Sequence, residues 1–245
     1  MENVLATPEA AKLEMGSRMT TTLLLWDIDG TLISAHGAGL EALRDALRTG
    51  LGVEDTLEAI ELAGRTDRWI FRQILRHLGL PESDRLLKAL ETHYLAALPR
   101  RLEERGVHVL PGILSVLEQG ARRQQVVQGL LTGNLRQGAE LKLGHGGLWQ
   151  HFPFGAFADD SENRNDLGPF AARRARQFCG AHIPSERIWV IGDTPHDVNC
   201  GRAAGFRTLA IATGRHSASE LSAASPDATL ENLADAAVFW NTVSA

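Results

Sequence analysis

The sequence predicts an α/β fold: a doubly wound parallel sheet interrupted once by an all-helical insertion. Three observations predict it. A continuous apolar run, Leu23-Leu24-Leu25-Trp26, leads straight into Asp27-Ile28-Asp29-Gly30-Thr31-Leu32-Ile33. Such a run reads as a strand buried on both faces inside a parallel sheet. From about residue 106 onward, short apolar runs alternate with helical periodicity, as strand–crossover–strand units require. Between these parts, residues 37–105 carry helical patterns and no convincing strand. The expected organisation is a tail at residues 1–20, an α/β core at 21–36 and 106–245, and a helical unit at 37–105.

The elements follow in order. Residues 1–20 carry Glu2, Glu9 and Glu14 and no hydrophobic signal core, so they read as a tail outside the fold, and Met19 is an alternative start. After Ile33, the glycine-rich Ser34-Ala35-His36-Gly37-Ala38-Gly39 is expected to be a mobile connection. Leu40, Leu43 and Leu47 share one helical face, and Gly50 and Gly52 mark its stop. Thr66 is a good N-cap for a second helix through Ile70, Ile74 and Leu78 to Gly79. A third follows Pro81, with Leu86, Leu90, Tyr94 and Leu98 in register, and is expected to end before Pro99. Pro111 then opens a helix to Ala121, and Val126 to Leu131 is a buried strand ending in Thr132-Gly133-Asn134. A helix to about Leu143, a short strand at Phe154 to Phe157 and a helix at Pro169 to Phe178 come next. Ile188 to Ile191 is another buried strand, terminating in Gly192-Asp193. A helix at Asp197 to Ala204, a strand at Leu209 to Ala212, a short strand near Thr229 and a final helix complete the pattern.

Composition narrows the class. With 245 residues and 44% hydrophobic content, the chain can bury a sizeable core. Its net charge of −5 and the absence of a long basic block argue against nucleic acid or an anionic membrane as a partner. No apolar run approaches the length of a membrane span. Cys179 and Cys200 lack metal-ligand spacing, which points to a reducing compartment, and a cytoplasmic location is expected.

Three strand ends present polar groups: Asp27 with Asp29, Thr132 with Asn134, and Asp193 with Asp197. In a parallel sheet these ends lie along one edge, so residues distant in sequence converge where such sheets bind ligands. Asp27 and Asp29, two apart in extended chain, project to the same side. Paired carboxylates repel unless a cation sits near or one holds a proton, which suits a hard metal ion with acid–base chemistry. An Asp-Gly pair is also an ordinary turn signal, and Asp193 and Asp197 would serve equally as strand-end and helix-capping acids.

Asp27-Ile28-Asp29-Gly30-Thr31-Leu32 resembles the first motif of the haloacid dehalogenase superfamily, most of whose members are phosphatases. Leu130-Leu131-Thr132-Gly133-Asn134 resembles the second motif, and Val190-Ile191-Gly192-Asp193-Thr194-Pro195-His196-Asp197 the fourth. The resemblance implies a Rossmann-like core and Mg²⁺-dependent hydrolysis of a small phosphorylated metabolite through an aspartyl-phosphate. By resemblance Asp27 is the nucleophile, and Asp29 protonates the leaving alcohol and then activates water. Asp27, Asp193 and the Asp29 backbone carbonyl hold the metal. Thr132, Gly133 and the Asn134 backbone serve the phosphoryl oxygens, and Asp197 acts from behind the metal site. An acid at position 29 points to phosphoryl transfer, because dehalogenases that attack carbon typically lack one there.

The third motif departs from the family, which usually supplies a lysine. The segment reads Ser161-Glu162-Asn163-Arg164-Asn165-Asp166-Leu167-Gly168-Pro169, and Arg164 falls where that lysine belongs. Arginine keeps the charge and grips two oxygens, although guanidinium is bulkier than ammonium. A solvated surface arginine is the alternative, and Lys142, in the middle of the preceding helix, is the rival cation. The helical insertion resembles the cap of the subgroup that carries it between the first and second motifs, with a phosphoglycolate phosphatase-like branch nearest. Within it, Gly64-Arg65-Thr66-Asp67 resembles the loop that faces the site, which makes Arg65 the candidate substrate contact. The alternative is that Thr66 and Asp67 only cap a helix and Arg65 is solvated. His36 and His196 receive no role. A phosphomutase of the β-phosphoglucomutase type would use the same residues, and a non-catalytic binding protein on the same fold is the reading from a different class.

Overall fold

The computed structural model describes residues 21–244, so the expected tail at residues 1–20 lies outside the described residues. In chain order the strands are β1 (Thr22–Trp26), β2 (Ile33–Ser34), β3 (His108–Val109), β4 (Val126–Leu131), β5 (Gly155–Ala156), β6 (Ile188–Gly192), β7 (Arg207–Ile211) and β8 (Ala228–Leu230). The helices are α1 (Ala38–Leu51), α2 (Asp67–His77), α3 (Asp84–Arg105), α4 (Ile113–Ala121), α5 (Arg136–His145), α6 (Leu167–Cys179), α7 (Pro195–Ala203), α8 (Ala218–Ala223) and α9 (Ala236–Ser244).

Every residue of β1 is buried, as the apolar run at residues 23–26 within it requires. It is the centre of a six-stranded sheet in the order β5-β4-β1-β6-β7-β8, with parallel pairing throughout. The chain winds outward from β1 through β4 to β5, then returns to the other side of β1 with β6. The carboxyl ends of β1 and β6 therefore flank the point where the winding reverses, which is where open α/β sheets form a crevice. Alternate side chains of β1 enter different layers. Leu24 and Trp26 pack with α4, α5 and α9, whereas Leu23 and Leu25 pack with α6 and α7. Trp26 stacks on Phe239 of α9 at 5.4 Å between ring centroids.

α1, α2 and α3 lie between β2 and β3 and build a second hydrophobic cluster, including Leu47, Phe71, Ile74, Leu90, Tyr94 and Leu98, which Leu135 and Ala158 of the α/β part join. The chain leaves and re-enters the α/β part through β2 and β3, which pair antiparallel with Ile33 opposite Val109. No helix among the described residues is long and apolar enough to cross a membrane.

The structure corrects three expectations. α3 does not stop before Pro99 but continues to Arg105 with the proline inside it. The ring removes a backbone donor, yet Leu98 and Leu102 on either side of it are both fully buried, and Arg101 pairs with buried Asp45 at 2.7 Å, which holds the next turn in place. The glycine-rich stretch after Ile33 is shorter than expected, because α1 begins at Ala38, and Ala35 and Ala38 are both buried. β2, β3 and α8 were not anticipated. The two strands have two residues each, too few to show a period.

Candidate active site

Asp27 continues from β1 and is still tied to β6, its N–H donating to the Ile191 carbonyl at 2.9 Å. The chain then folds back, with the Ile28 carbonyl accepting from Leu32 at 2.9 Å and Ile33 at 3.1 Å. Gly30 makes this turn possible. Its φ is +85°, and a Cβ there would collide with the Asp193 carboxylate. Asp193, just past β6, is fixed by the Thr31 hydroxyl, which donates to Oδ1 at 3.0 Å.

Asp27, Asp193 and Asp197 are all buried, and each offers an oxygen within 4.8 Å of the others'. Arg164 lies among them. It stands on a 3₁₀ turn, Arg164–Asp166, started by Asn163, and is only 7% exposed. Its Nη2 donates to Asp197 and lies 3.1 Å from Asp27 Oδ1, and its Nη1 donates to the Gly64 carbonyl at 3.2 Å. A solvated surface arginine is thereby ruled out. Asp197 Oδ2 also takes the Thr194 N–H at 3.0 Å and hydroxyl at 2.7 Å, a capping box that starts α7.

One guanidinium among three buried acids leaves excess negative charge. Burial pushes the Asp27 carboxyl up to about 6 against the pull of Arg164. Burial, together with the charges of Asp197 and Asp27, pushes Asp193 well above the usual carboxylate range. A compact all-oxygen donor set of this kind fits a divalent metal. Asp197 already receives Thr194 and Arg164, so the oxygens most open to a cation belong to Asp27 and Asp193. The Asp29 carboxylate stands apart from this cluster.

Asp29 has different company. Its side chain is 44% exposed, and Oδ2 accepts from Lys142 Nζ at 2.6 Å and from Asn134 Nδ2 at 2.9 Å. Lys142 Nζ donates also to Asn134 Oδ1 at 2.6 Å. Asn134 reaches back to Thr132, whose hydroxyl accepts from the Asn134 Nδ2 at 2.9 Å and from its backbone N–H at 3.3 Å. That backbone donor, which the motif assigns to a phosphoryl oxygen, is therefore engaged with Thr132 here. Sequence reasoning set Lys142 aside as a mid-helix residue. It is buried in the site, and Asp29 holds its ammonium protonated despite the desolvation. A signal was available: Gly138, Ala139, Lys142 and Leu143 form the buried face of α5, so the lysine falls on the apolar stripe.

Gly64 to Asp67 presses onto the second strand end. The Asp67 N–H donates to the Gly133 carbonyl at 2.7 Å, and a Cβ on Gly133 would collide with the Arg65 carbonyl. The capping reading of Thr66 holds. Thr66 caps α2, accepting from the Trp69 N–H at 3.2 Å, and its hydroxyl also donates to the Glu162 carbonyl at 2.5 Å. Arg65 borders the cavity, but its guanidinium is held by Glu61 at 2.5 Å and lies 4.3 Å over the Trp69 ring. His196 pairs with the same Glu61 at 3.2 Å. The cavity itself, about 430 Å³, is bordered by Asp27, Asp29, Asn134, Lys142, Arg164 and Asp193.

Comparison with known proteins bears on this site. A family model described as haloacid dehalogenase-like hydrolase matches residues 24–202. A probable phosphatase, IndB, of Dickeya dadantii is 26% identical over 87% of this chain and 90% of its own length. A phosphoglycolate phosphatase of Nitrosococcus oceani is 26% identical over 86% of this chain and 92% of its own. Among solved structures, CbbY from Rhodobacter sphaeroides in complex with phosphate superposes with a TM-score of 0.71 at 19% identity, covering 88% of this chain and 96% of that one. At that identity the likeness is one of fold.

Proposed function

From the premise that this chain belongs to the haloacid dehalogenase-like hydrolase family, we propose that it is a Mg²⁺-dependent phosphatase that hydrolyses a small phosphomonoester through an aspartyl-phosphate. The observation that carries the reading is Asp27, buried beside Arg164 and Asp193 and opening on the same cavity as Asp29.

A carboxylate attacks a phosphoryl group only if the repulsion between them is offset. Arg164, 3.1 Å from Asp27 Oδ1, supplies fixed positive charge on the side of Asp197. Asp27 and Asp193, with the Asp29 carbonyl, would hold Mg²⁺, which would supply the remaining neutralisation. An Asp27 oxygen forms a bond to phosphorus as the bond to the leaving oxygen breaks, and the protonated Asp29 carboxyl gives its proton to that oxygen. The Asp29 carboxylate then takes a proton from water as the water oxygen attacks phosphorus. Inorganic phosphate leaves and Asp27 is restored. Thr132 and Gly133 border the phosphoryl end. Residues 37–105 serve as a cap that shuts water out, with Arg65 at its edge.

The test is phosphate release from a panel of phosphomonoesters that includes 2-phosphoglycolate, with inorganic pyrophosphate beside it. Wild type and Asp27→Asn are each measured with Mg²⁺ and with EDTA. Mg²⁺-dependent turnover that disappears in Asp27→Asn is expected. Turnover retained in Asp27→Asn overturns the reading, as does release from no ester, with isomerisation of a sugar phosphate that needs a bisphosphate activator.

A further inference from the structure

We propose that Lys142 is a positioning residue for Asp29, holding the carboxylate by one oxygen so that the other meets the leaving group. The proposal rests on the phosphomonoester reading above. Lysine is almost never buried without a reason, and the other described lysine, Lys88, has a side chain 71% exposed. Lys142 is buried, yet its carboxylate partner is not: Asp29 is the half-exposed acid at the cavity. The ammonium therefore meets a cavity-lining carboxylate that Arg164 does not touch, since Arg164 pairs with Asp27 and Asp197.

The geometry is a triangle. Lys142 Nζ and Asn134 Nδ2 both converge on Asp29 Oδ2, and the ammonium donates as well to Asn134 Oδ1. Each member thus fixes the other two. Asp29 Oδ1 accepts no side-chain hydrogen bond among the described residues, which leaves it as the oxygen to carry the transferred proton. An exposed aspartate without such a clamp samples several rotamers, and proton transfer requires the carboxyl within hydrogen-bond reach of the leaving oxygen. Residues of the helical unit cover Lys142 from the other side. A Cβ on Gly39 would lie 3.7 Å from its Nζ and 3.8 Å from the Tyr94 hydroxyl. The lysine keeps its proton throughout; only Asp29 gives one to the leaving oxygen and regains one from water.

A positioning role has a signature that a structural one lacks. General-acid help matters most for poor leaving groups and least for good ones. The experiment measures kcat and KM for aryl phosphates graded from phenyl to 4-nitrophenyl, together with the best alkyl ester of the panel. The proteins are wild type, Asp29→Asn, Lys142→Met and the double variant. In Lys142→Met, kcat for phenyl phosphate should fall by about tenfold or more, against a small loss for 4-nitrophenyl phosphate, with KM little changed. The double variant should be no slower than Asp29→Asn alone, because the lysine acts through the aspartate. A loss equal on every leaving group, or losses that multiply in the double variant, overturns the proposal. Should Lys142→Met not fold, Lys142→Gln retains an N–H donor without the charge and is read by the same two criteria. If wild type hydrolyses nothing, the phosphatase reading fails and this proposal with it. If Asp29→Asn discriminates leaving groups and Lys142→Met does not, the role of Lys142 alone fails.

Discussion

Asp27 is 5% exposed and meets Arg164 and two further acids, whereas the side chain of Asp29, two residues on, is 44% exposed and meets Lys142 and Asn134. One strand end thus presents two carboxylates with separate cations and separate neighbours. The buried one is crowded by like charge, and burial brings its carboxyl up to about 6. Its surroundings leave negative charge in excess, which the proposed metal would offset. The half-exposed one is neutralised by a protein cation and has an oxygen to spare. In the proposed mechanism that division lets one residue bond to phosphorus while its neighbour handles protons.

The largest expected effect breaks the comparison at its buried end. Asp27→Asn removes the attacking carboxylate and should lower kcat on the order of a thousandfold or more on every ester. Asp29→Asn should cost about a hundredfold or more on alkyl esters and far less on 4-nitrophenyl phosphate. Steady-state kinetics on the two ester types checks both. Equal losses in the two variants, independent of leaving group, would remove the distinction between the carboxylates.

Arg164→Ala comes next. It strands Asp27 and Asp197 in a buried site, and breaking such a pair costs about 3–5 kcal/mol of stability. Urea denaturation should show that loss, and kcat should fall with it. Arg164→Lys keeps the charge but cannot hold both Asp197 and the Gly64 carbonyl with one planar group, so an intermediate effect is expected. A lysine variant as active as wild type would reduce the arginine to a charge alone.

A third carboxylate sharpens the Asp29 side. Asp67 opens α2 in the helical unit, and its Oδ2 accepts the Leu135 N–H at 2.7 Å. Burial raises its carboxyl to about 6 against the pull of Lys142. A carboxyl raised on folding binds its proton more tightly in the native state. Its contribution to stability is full below the unfolded value near 4 and is lost as pH rises toward 6, by at most about 3 kcal/mol. Asp67→Asn still accepts from Leu135 but cannot ionise. Urea midpoints between pH 4 and 7 should fall for wild type relative to Asp67→Asn across that window. Parallel curves would mean that Lys142 already compensates the Asp67 charge.

The two ends of the site were unequally legible in the sequence. Asp27, Thr132 and Asp193 stand at the ends of buried, largely apolar strands that a parallel sheet aligns along one edge, so their convergence follows from strand order. Arg164 could be placed by counting back from Pro169, because a short turn fixes its distance from α6. Lys142 was harder. Its position depends on the rotation of α5 about its own axis, for which its place on a stripe with two small residues, Gly138 and Ala139, and Leu143 is a faint signal. The Arg65 loop was half legible: Thr66 reads as a cap, but the hold of Glu61 and Trp69 on the guanidinium is a tertiary arrangement. Pro99 misled because a local rule yielded to the burial of Leu98 and Leu102. α8 was missed although Ser217 and Glu220 form a capping box readable in the sequence.

The smallest expected effect tests how rigidly the Asp27 side is built. Thr194→Ala removes the hydroxyl that donates to Asp197 Oδ2 at 2.7 Å and weakens the cap of α7. Losing such a cap typically costs about 1 kcal/mol, or about 2–4 °C in Tm for a chain of this size. Asp197 would still be held by the Thr194 backbone N–H at 3.0 Å and by Arg164, so kcat should change less than about threefold. Calorimetry and kinetics on one preparation separate the two readouts. If kcat instead falls as far as in Arg164→Ala, the hydroxyl is what keeps Asp197, and through it Arg164, aimed at Asp27. The buried carboxylate would then depend on a chain of orientation as much as Asp29 does on its triangle.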